Sequence, residues 1–234
     1  MRTLSKRHVV VTGATGALGS AVVARLLDLG AECHLPMREP AVPEHLPWRG
    51  HAQVHATPSV SLEDEAAVTA YYAGLPELWG SAQLVGGFAM KPLLDTSLAE
   101  LHAQWSLNVA TCFLCCREAV RAMRRSGGAQ GGRLINVTAR AATSAAPGML
   151  AYTAAKAAVA SLTQTLAAEL AQEQILINAI SPSLIDSAAN RAAMPDADFD
   201  KWPKPTELAD AIAFLLSPDN ALTSGAIVPV YGRA

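Results

Sequence analysis

The chain has 234 residues, of which 51% are hydrophobic and 16% are charged, and its formal net charge is −2. This length suffices for one α/β domain with a full core, and the composition excludes a disordered chain. The small net charge gives no general attraction to nucleic acid or to an anionic membrane, and no apolar run reaches transmembrane length. We therefore expect a globular protein with neither a nucleic-acid nor a membrane partner.

The cysteines and the N-terminal residues indicate in which cellular compartment the protein is expected. The basic start resembles that of a signal peptide, but the apolar run behind it ends at Thr12 and Gly13, so we expect no export. Cys112, Cys115 and Cys116 lie in a long helical pattern without a second pair of metal ligands, which favours buried, reduced thiols over a zinc or redox site. The histidines show no ligand spacing, so no metal is expected. Reduced thiols predict a cytoplasmic protein.

Strand-like and helix-like runs alternate along the chain. The predicted strands are 7–12, 31–36, 52–56, 81–86, 132–138, 174–180 and 225–230. The predicted helices are 17–29, 62–75, 97–125, 151–172 and 205–217. Such alternation predicts a parallel sheet with helices on both faces. The expected fold is a single α/β domain over 1–234, a Rossmann fold with a doubly wound sheet of about seven strands.

Three segments rich in glycine, proline or small residues predict loops, at 38–50, 126–132 and 183–204. The last is the longest irregular segment. Because ligands bind beyond the carboxyl ends of parallel strands, we expect 183–204 to be a substrate lid.

The first predicted strand runs into TGATGALG, Thr12 to Gly19, and a helical pattern follows. Glycines at 13, 16 and 19 permit a tight turn, close approach of a pyrophosphate to the backbone, and close helix–strand packing. Taken alone, the pattern leaves two readings open: a structural turn without a ligand, and a dinucleotide site.

Tyr152 and Lys156 stand four residues apart in a helical pattern and therefore share one helix face. An ammonium group near a phenol lowers the pKa of the phenol, which would allow Tyr152 to exchange a proton near neutral pH. The alternative is an ordinary tyrosine and lysine on an amphipathic helix.

The early TGxxxxxG turn, a central Asn108, YxxxK at 152–156 and Asn-Ala-Ile-Ser-Pro at 178–182 resemble the short-chain dehydrogenase/reductase family over essentially the whole chain. The resemblance implies an enzyme that transfers hydride between a nicotinamide cofactor and a small carbonyl, imine or quinonoid substrate. It implies that Tyr152 is the acid/base, that Lys156 lowers its pKa and binds the nicotinamide ribose, and that the Asn108 backbone holds a water.

The resemblance also implies a cofactor site. Its implied residues are Gly13, Thr15, Gly16, Leu18, Gly19, Arg38, Val60, Gly86, Tyr152, Lys156, Pro182, Ile185 and Ser187. Met37 takes the position of the acidic residue typical of NAD-preferring members, and the following Arg38 can pair with a 2′-phosphate. We therefore predict NADP(H) rather than NAD(H). The alternative is that Arg38 is a solvated loop charge.

One position departs from the family pattern. Ala139 stands thirteen residues before Tyr152, where the catalytic serine is expected. The adjacent Thr138 should point to the opposite face of the strand and cannot replace the serine unless the strand is bulged. Thr143 and Ser144 lie on the following loop, and either could swing in to replace it. Pteridine reductases acting on quinonoid dihydropterins resemble this chain in lacking the serine, which suggests an electrophile that needs little polarisation. The alternative is a catalytically weak nucleotide-binding protein, such as a sensor or an assembly subunit.

The family forms subunit interfaces through two long helices, which correspond here to 97–125 and 151–172. The resemblance therefore implies a homodimer or homotetramer, and we expect Cys112, Phe113 and Cys116 in the core of the interface.

Overall fold

A computed structural model describes residues 3–125, 131–144 and 146–233. Its strands are β1 His8–Val11, β2 Glu32–Pro36, β3 Val54–Thr57, β4 Leu78–Gln83, β5 Gly132–Val137, β6 Ile175–Pro182 and β7 Ile227–Val230. They form one sheet in the order β3-β2-β1-β4-β5-β6-β7, and every neighbouring pair is parallel. The predicted single Rossmann-like sheet of seven parallel strands is confirmed.

Seven α-helices connect the strands in the described part of the chain. They are α1 Ala17–Asp28, α2 Glu65–Ala73, α3 Leu98–Trp105, α4 Thr111–Arg125, α5 Leu150–Glu169, α6 Ala188–Ala193 and α7 Pro205–Leu216. The helix predicted over 97–125 is not uniform, because the π-helical segment Ser106–Ala110 joins α3 to α4. Short π-helical insertions occur frequently at functional sites.

The sheet separates two hydrophobic cores, and the alternation of side chains along each strand feeds both of them. In β1, Val9 and Val11 enter the core shared with α1 and α7. Val10 enters the core shared with α2, α4 and α5. Strands buried on both faces explain the nearly continuous apolar runs in the sequence.

Strand β4 begins and ends three residues earlier than the predicted 81–86. The hydroxyl oxygen of Thr12 accepts hydrogen bonds from the backbone N–H groups of Leu84, at 2.9 Å, and Val85, at 3.4 Å. These two amides are thereby drawn out of the strand ladder toward the glycine turn. Residues 84–86 form a loop at the carboxyl end of β4, where ligands bind in sheets of this kind.

The predicted lid, 183–204, is partly helical. Ser187 caps α6 by accepting a 3.2 Å hydrogen bond from the backbone N–H of Asn190. A short 3₁₀ turn follows at Phe199–Lys201. The predicted loop at 38–50 contains neither helix nor strand. Of the predicted loop 126–132, residues 126–130 lie outside the described residues. Strand β5 begins at Gly132.

The sheet brings together histidines that stand far apart in the sequence. Nδ1 of His8 lies 2.8 Å from Nε2 of His34, which in turn stacks on His55 with ring centroids 4.8 Å apart. Glu32 lies 2.8 Å from Nε2 of His55. The register of the three neighbouring strands produces this cluster, which no sequence spacing indicates.

Candidate active site

Two glycines of the turn are required by the fold itself. Gly13 has φ of +64°, a left-handed conformation that favours glycine. A Cβ atom on Gly19 would lie 2.1 Å from the carbonyl oxygen of Gly13, so α1 can approach the turn this closely only without a side chain there. Gly13 is therefore explained by its backbone conformation and Gly19 by the close packing of α1 on the turn, without any ligand.

Gly16 is different, because nothing within the protein requires a glycine at this position. Its φ is −76°, and an added Cβ would meet only the carbonyl oxygen of Gly13, at 3.4 Å. Gly16 is the N-cap residue of α1, so no side chain at this position accepts from the N–H groups of the first turn. The first turn of α1 also carries no acidic residue. The N–H groups of a helix's first turn have no intrahelical partner and attract phosphate. The turn therefore fits a dinucleotide pyrophosphate.

Gly86 lies where the loop after β4 meets two predicted site residues. A Cβ atom on Gly86 would lie 2.8 Å from Oδ1 of Asn108 and 3.0 Å from Nζ of Lys156. Oδ1 of Asn108 accepts from the N–H of Gly87 at 3.2 Å, and Nδ2 donates to the Gly87 carbonyl at 3.1 Å. Nδ2 also donates to the Gln104 carbonyl. The side-chain amide of Asn108 thus fastens this loop to the π-helical segment.

Tyr152 and Lys156 share one face of α5, as predicted, but their electrostatics differ from the expectation. Nζ of Lys156 lies 5.9 Å from the centre of the Tyr152 ring and donates a 3.0 Å hydrogen bond to the Val137 carbonyl. Burial raises the pKa of Tyr152 to about 12 and lowers the pKa of Lys156 to about 8. The net shift of the Tyr152 pKa is therefore upward, opposite to the expected lowering, because burial of the phenol dominates.

The position of the expected serine is occupied by a buried alanine, Ala139, the second residue after β5. The adjacent Thr138 is also buried, and its hydroxyl donates to the Lys156 carbonyl at 2.7 Å. The hydroxyl of Thr143 donates to the Arg140 carbonyl at 3.2 Å, and Ser144 is exposed. Thr138 is thus committed to α5, and the hydroxyl of Thr143 bonds within its own turn.

The segment after β6 is fixed by polar contacts at its beginning and end. The hydroxyl of Ser183 donates to the Tyr231 carbonyl at 2.7 Å, and Pro182 ends the strand. The Ile185 carbonyl accepts from the side-chain amide of Asn190 at 2.8 Å. Because Ser187 caps α6 as an acceptor, its hydroxyl proton can still be donated to a ligand.

At the end of β2, the structure reveals a carboxylate that the sequence interpretation did not consider. The hydroxyl of Thr15 donates to Oε1 of Glu39 at 2.9 Å. Arg38 is exposed and forms no salt bridge with any residue in the described ranges. The N–H of Val60 donates to the Met37 carbonyl at 2.8 Å, which holds this predicted site residue against the end of β2.

An exposed aromatic ring lies against Tyr152. Phe88 packs edge-on against the Tyr152 ring, with centroids 5.0 Å apart, yet 59% of Phe88 is exposed. Met90, whose side chain lies beside Gly148, and Leu150 are also exposed. An exposed aromatic ring beside a candidate proton donor provides a wall for a planar substrate.

Neither a metal site nor a membrane span is evident in the described ranges. No group of three or more histidine, cysteine, aspartate or glutamate side chains there could hold a metal ion. No helix in the same ranges is long and apolar enough to cross a bilayer. The thiols of Cys112, Cys115 and Cys116 are free and buried within the core of the subunit.

Comparisons with known proteins agree with the observed fold. Residues 7–198 match the model of the short chain dehydrogenase family. The 3alpha-hydroxysteroid dehydrogenase of Mediterraneibacter gnavus is 29% identical, over 99% of this chain and 98% of that protein. A short-chain type dehydrogenase/reductase from Mycobacterium ulcerans superposes with a TM-score of 0.88 at 24% identity, over 100% of this chain and 90% of that one. ElxO with NADP bound superposes with a TM-score of 0.87 at 20% identity, over 97% and 98% of the two chains.

Proposed function

Because the chain belongs to the short-chain dehydrogenase family and is an oxidoreductase of that type, we propose that it is NADP(H)-dependent and reduces or oxidises a small conjugated carbonyl, imine or quinonoid substrate. The observation that carries the proposal is the placement of Lys156 beside Gly86 and the carboxyl end of β5, with the Tyr152 ring on the same helix face. When bound, the nicotinamide supplies or accepts the hydride, and the chain contributes orientation and proton transfer.

Tyr152 is assigned the role of proton donor in the direction of reduction. With a pKa raised to about 12, its phenol is protonated at neutral pH. Lys156 has a pKa lowered to about 8, so most of its ammonium remains charged at pH 7. We assign to this ammonium, on the same helix face as Tyr152, the role of stabilising the phenolate once the proton has left. Release of a proton to the substrate oxygen or nitrogen completes the reduction.

The substrate class follows from what surrounds Tyr152. Without a hydroxyl at Ala139, one hydrogen-bond donor fewer can polarise the reacting group, which favours an electrophile activated by conjugation. The exposed ring of Phe88 against Tyr152 favours an apolar, planar molecule. A relative named for a hydroxysteroid supports an apolar ring system as the substrate.

Two features support NADP(H) as the cofactor. The exposed Arg38 has no salt-bridge partner in the described ranges and follows directly on Met37, the residue after β2, so its guanidinium can pair with a 2′-phosphate. ElxO, which has the same fold, binds NADP.

A substrate panel with both nucleotides tests the proposal. Purified protein is assayed for oxidation of NADPH and NADH with a quinone, a cyclic imine, a quinonoid dihydropterin and a simple aliphatic ketone. We expect kcat/KM at least tenfold higher for a conjugated substrate than for the ketone, and a lower KM for NADPH than for NADH. A clear NADH preference would contradict the cofactor assignment, and selective turnover of the ketone would contradict the substrate class.

The alternative is a nucleotide-binding protein with weak catalysis. It is favoured by Ala139, and also by Ser183, whose hydroxyl is committed to the Tyr231 carbonyl. In that case NADPH would bind with micromolar affinity in a titration, and no substrate of the panel would oxidise it.

We also propose a homodimer or homotetramer built on α4 and α5. Phe113 on α4 and Trp105 on α3 are 45% and 48% exposed, and these rings are available to a second subunit. The expectation that Cys112 and Cys116 lie in the interface core is wrong, because both are buried within their own subunit. Light scattering at micromolar concentration tests the assembly, and a monomeric mass would contradict it.

A further inference from the structure

Three histidine rings and one carboxylate form a histidine cluster across β1, β2 and β3, made of His8, His34, His55 and Glu32. Nδ1 of His8 lies 2.8 Å from Nε2 of His34, and the His34 ring stacks on the His55 ring with centroids 4.8 Å apart. Nε2 of His55 lies 2.8 Å from Oε2 of Glu32. His34 is the middle ring and is only 8% exposed, so the cluster shields this ring from water.

The observed packing of the histidine cluster requires a neutral His34. The titratable groups that act on His34 in the described ranges are His8 from β1, Glu32 from β2 and His55 from β3. Protons on both His8 and His34 would leave two donors facing each other. Burial, His55 and His8 lower the pKa of His34 to about 4, against the opposing effect of Glu32. In this packing His34 therefore resists a proton that it would accept in water at about pH 6.5.

Strand β3 is the neighbour of His34 that can separate at the lowest cost. It stands at the edge of the sheet, and β2 is its single partner among the described strands. It has four residues, which alternate between half-buried and exposed. The register places His55 of β3 opposite His34 of β2. Because segments with few buried contacts open at a low free-energy cost, separation of β3 from β2 is the cheapest way to hydrate a charged His34.

The segment that follows β3 contains a residue of the proposed dinucleotide site, Val60. The N–H of Met37 donates to the Thr57 carbonyl at 2.9 Å, and the N–H of Val60 donates to the Met37 carbonyl at 2.8 Å. Ser59, which precedes Val60, has φ of 58°, a left-handed conformation that a residue with a side chain keeps only where its surroundings hold it. Release of β3 would therefore also withdraw Val60 from the end of β2.

We propose that the histidine cluster is a pH-sensitive switch, in which proton uptake by His34 below about pH 6.5 releases β3 from β2 and opens the nucleotide site at Val60. The effect on the cofactor rests on the proposed dinucleotide site, whereas the release of β3 does not. Because coupling between two sites is reciprocal, a bound nucleotide holds β3 in place and opposes the release.

Hydrogen exchange of the backbone amides in residues 52–60, followed by mass spectrometry at pH 7 and pH 5, measures the release. The rates are divided by the intrinsic rates of an unstructured peptide of the same sequence at each pH. We expect the open fraction of β3 to rise at least about tenfold from pH 7 to pH 5, while β5 and β6 stay protected. Saturating NADP⁺, which is stable in acid, should lower the open fraction at pH 5 at least fivefold.

His34→Leu and His34→Gln remove the titrating ring, one by an apolar and one by a polar side chain. In both variants the open fraction of β3 should rise less than threefold over the same pH interval. His45→Gln is the matched control, because His45 is an exposed histidine between β2 and β3 that lies outside the histidine cluster. This variant should keep the tenfold rise.

The outcomes separate this inference from the proposed function. If acid releases β3 in the His34 variants as much as in the wild type, or if β5 and β6 lose protection together with β3, the inference is wrong. If NADP⁺ binds at pH 7 but does not reduce the release at pH 5, the switch does not reach the nucleotide site and the inference is again wrong. If NADP⁺ does not bind at all, the proposed dinucleotide site is wrong, and the exchange rates without nucleotide still decide whether His34 releases β3.

Discussion

The hydroxyl of Thr138 donates a 2.7 Å hydrogen bond to the backbone carbonyl of Lys156. This bond turns Thr138 into α5, whereas the next residue along the chain, Ala139, takes the position where a catalytic hydroxyl is expected. Neighbouring residues on an extended strand point to opposite faces, so Thr138 cannot serve both purposes. The hydroxyl of Thr138 therefore does not replace the hydroxyl that is missing at Ala139.

Ala139→Ser should restore a donor to the substrate oxygen. We expect kcat/KM for a simple aliphatic ketone to rise by about tenfold or more, since one such donor contributes about 10²-fold or more in other enzymes. Turnover of a quinone should change by less than about threefold, because conjugation already activates it. Steady-state kinetics with both substrates measures the contrast.

Thr138→Val is the control for that substitution. It removes a buried hydrogen bond and should lower the free energy of unfolding by about 1 kcal/mol, without changing the ratio between ketone and quinone. An equal gain for both substrates in Ala139→Ser, or no gain for the ketone, would contradict the account.

Phe88→Ala should weaken the binding of planar apolar substrates. Loss of the exposed ring beside Tyr152 removes apolar contact worth about 1–2 kcal/mol, so KM for an aromatic substrate should rise by about tenfold while kcat changes less. Phe214→Ala is the control, because that half-exposed ring lies on α7, across the sheet from α5. Equal KM values for Phe88→Ala and the wild type would show that the ring does not contact the substrate.

The histidine cluster predicts a loss of stability in acid. Burial and the neighbouring His55 and His8 lower the pKa of His34 to about 4, from the usual 6.5, while Glu32 acts in the opposite direction. The unfolded chain therefore binds the proton more readily, and the stabilisation present above pH 6.5 is lost as the pH falls toward 4. From pH 7 to pH 5, His34 should account for about 2 kcal/mol of lost unfolding free energy.

Urea unfolding of the wild type and His34→Leu at pH 7 and pH 5 measures this contribution. The variant lacks the titrating group, and its stability should fall by much less over the same interval. An identical fall in both proteins would rule out His34 as the source.

The sequence predicted what depends on local pattern, and the structure added what depends on strand register. The alternation of strand-like and helix-like runs predicted the parallel sheet. The spacing of Tyr152 and Lys156 predicted that they share one helix face. The three histidines and the pair of Thr15 with Glu39 meet only through the sheet, so no spacing could reveal them. The raised pKa of Tyr152 depends on its burial, which a motif does not specify.

The most direct test of the account is the rate of NADPH oxidation by Tyr152→Phe, with a conjugated substrate that the wild type reduces. Phenylalanine keeps the ring but cannot donate the proton, so we expect kcat to fall by at least about 10²-fold while the dissociation constant of NADPH stays within twofold. Tyr231→Phe, which alters another tyrosine in the described part of the chain, should retain the wild-type rate. A Tyr152→Phe variant that turns over as fast as the wild type would contradict the assignment of Tyr152 as the acid.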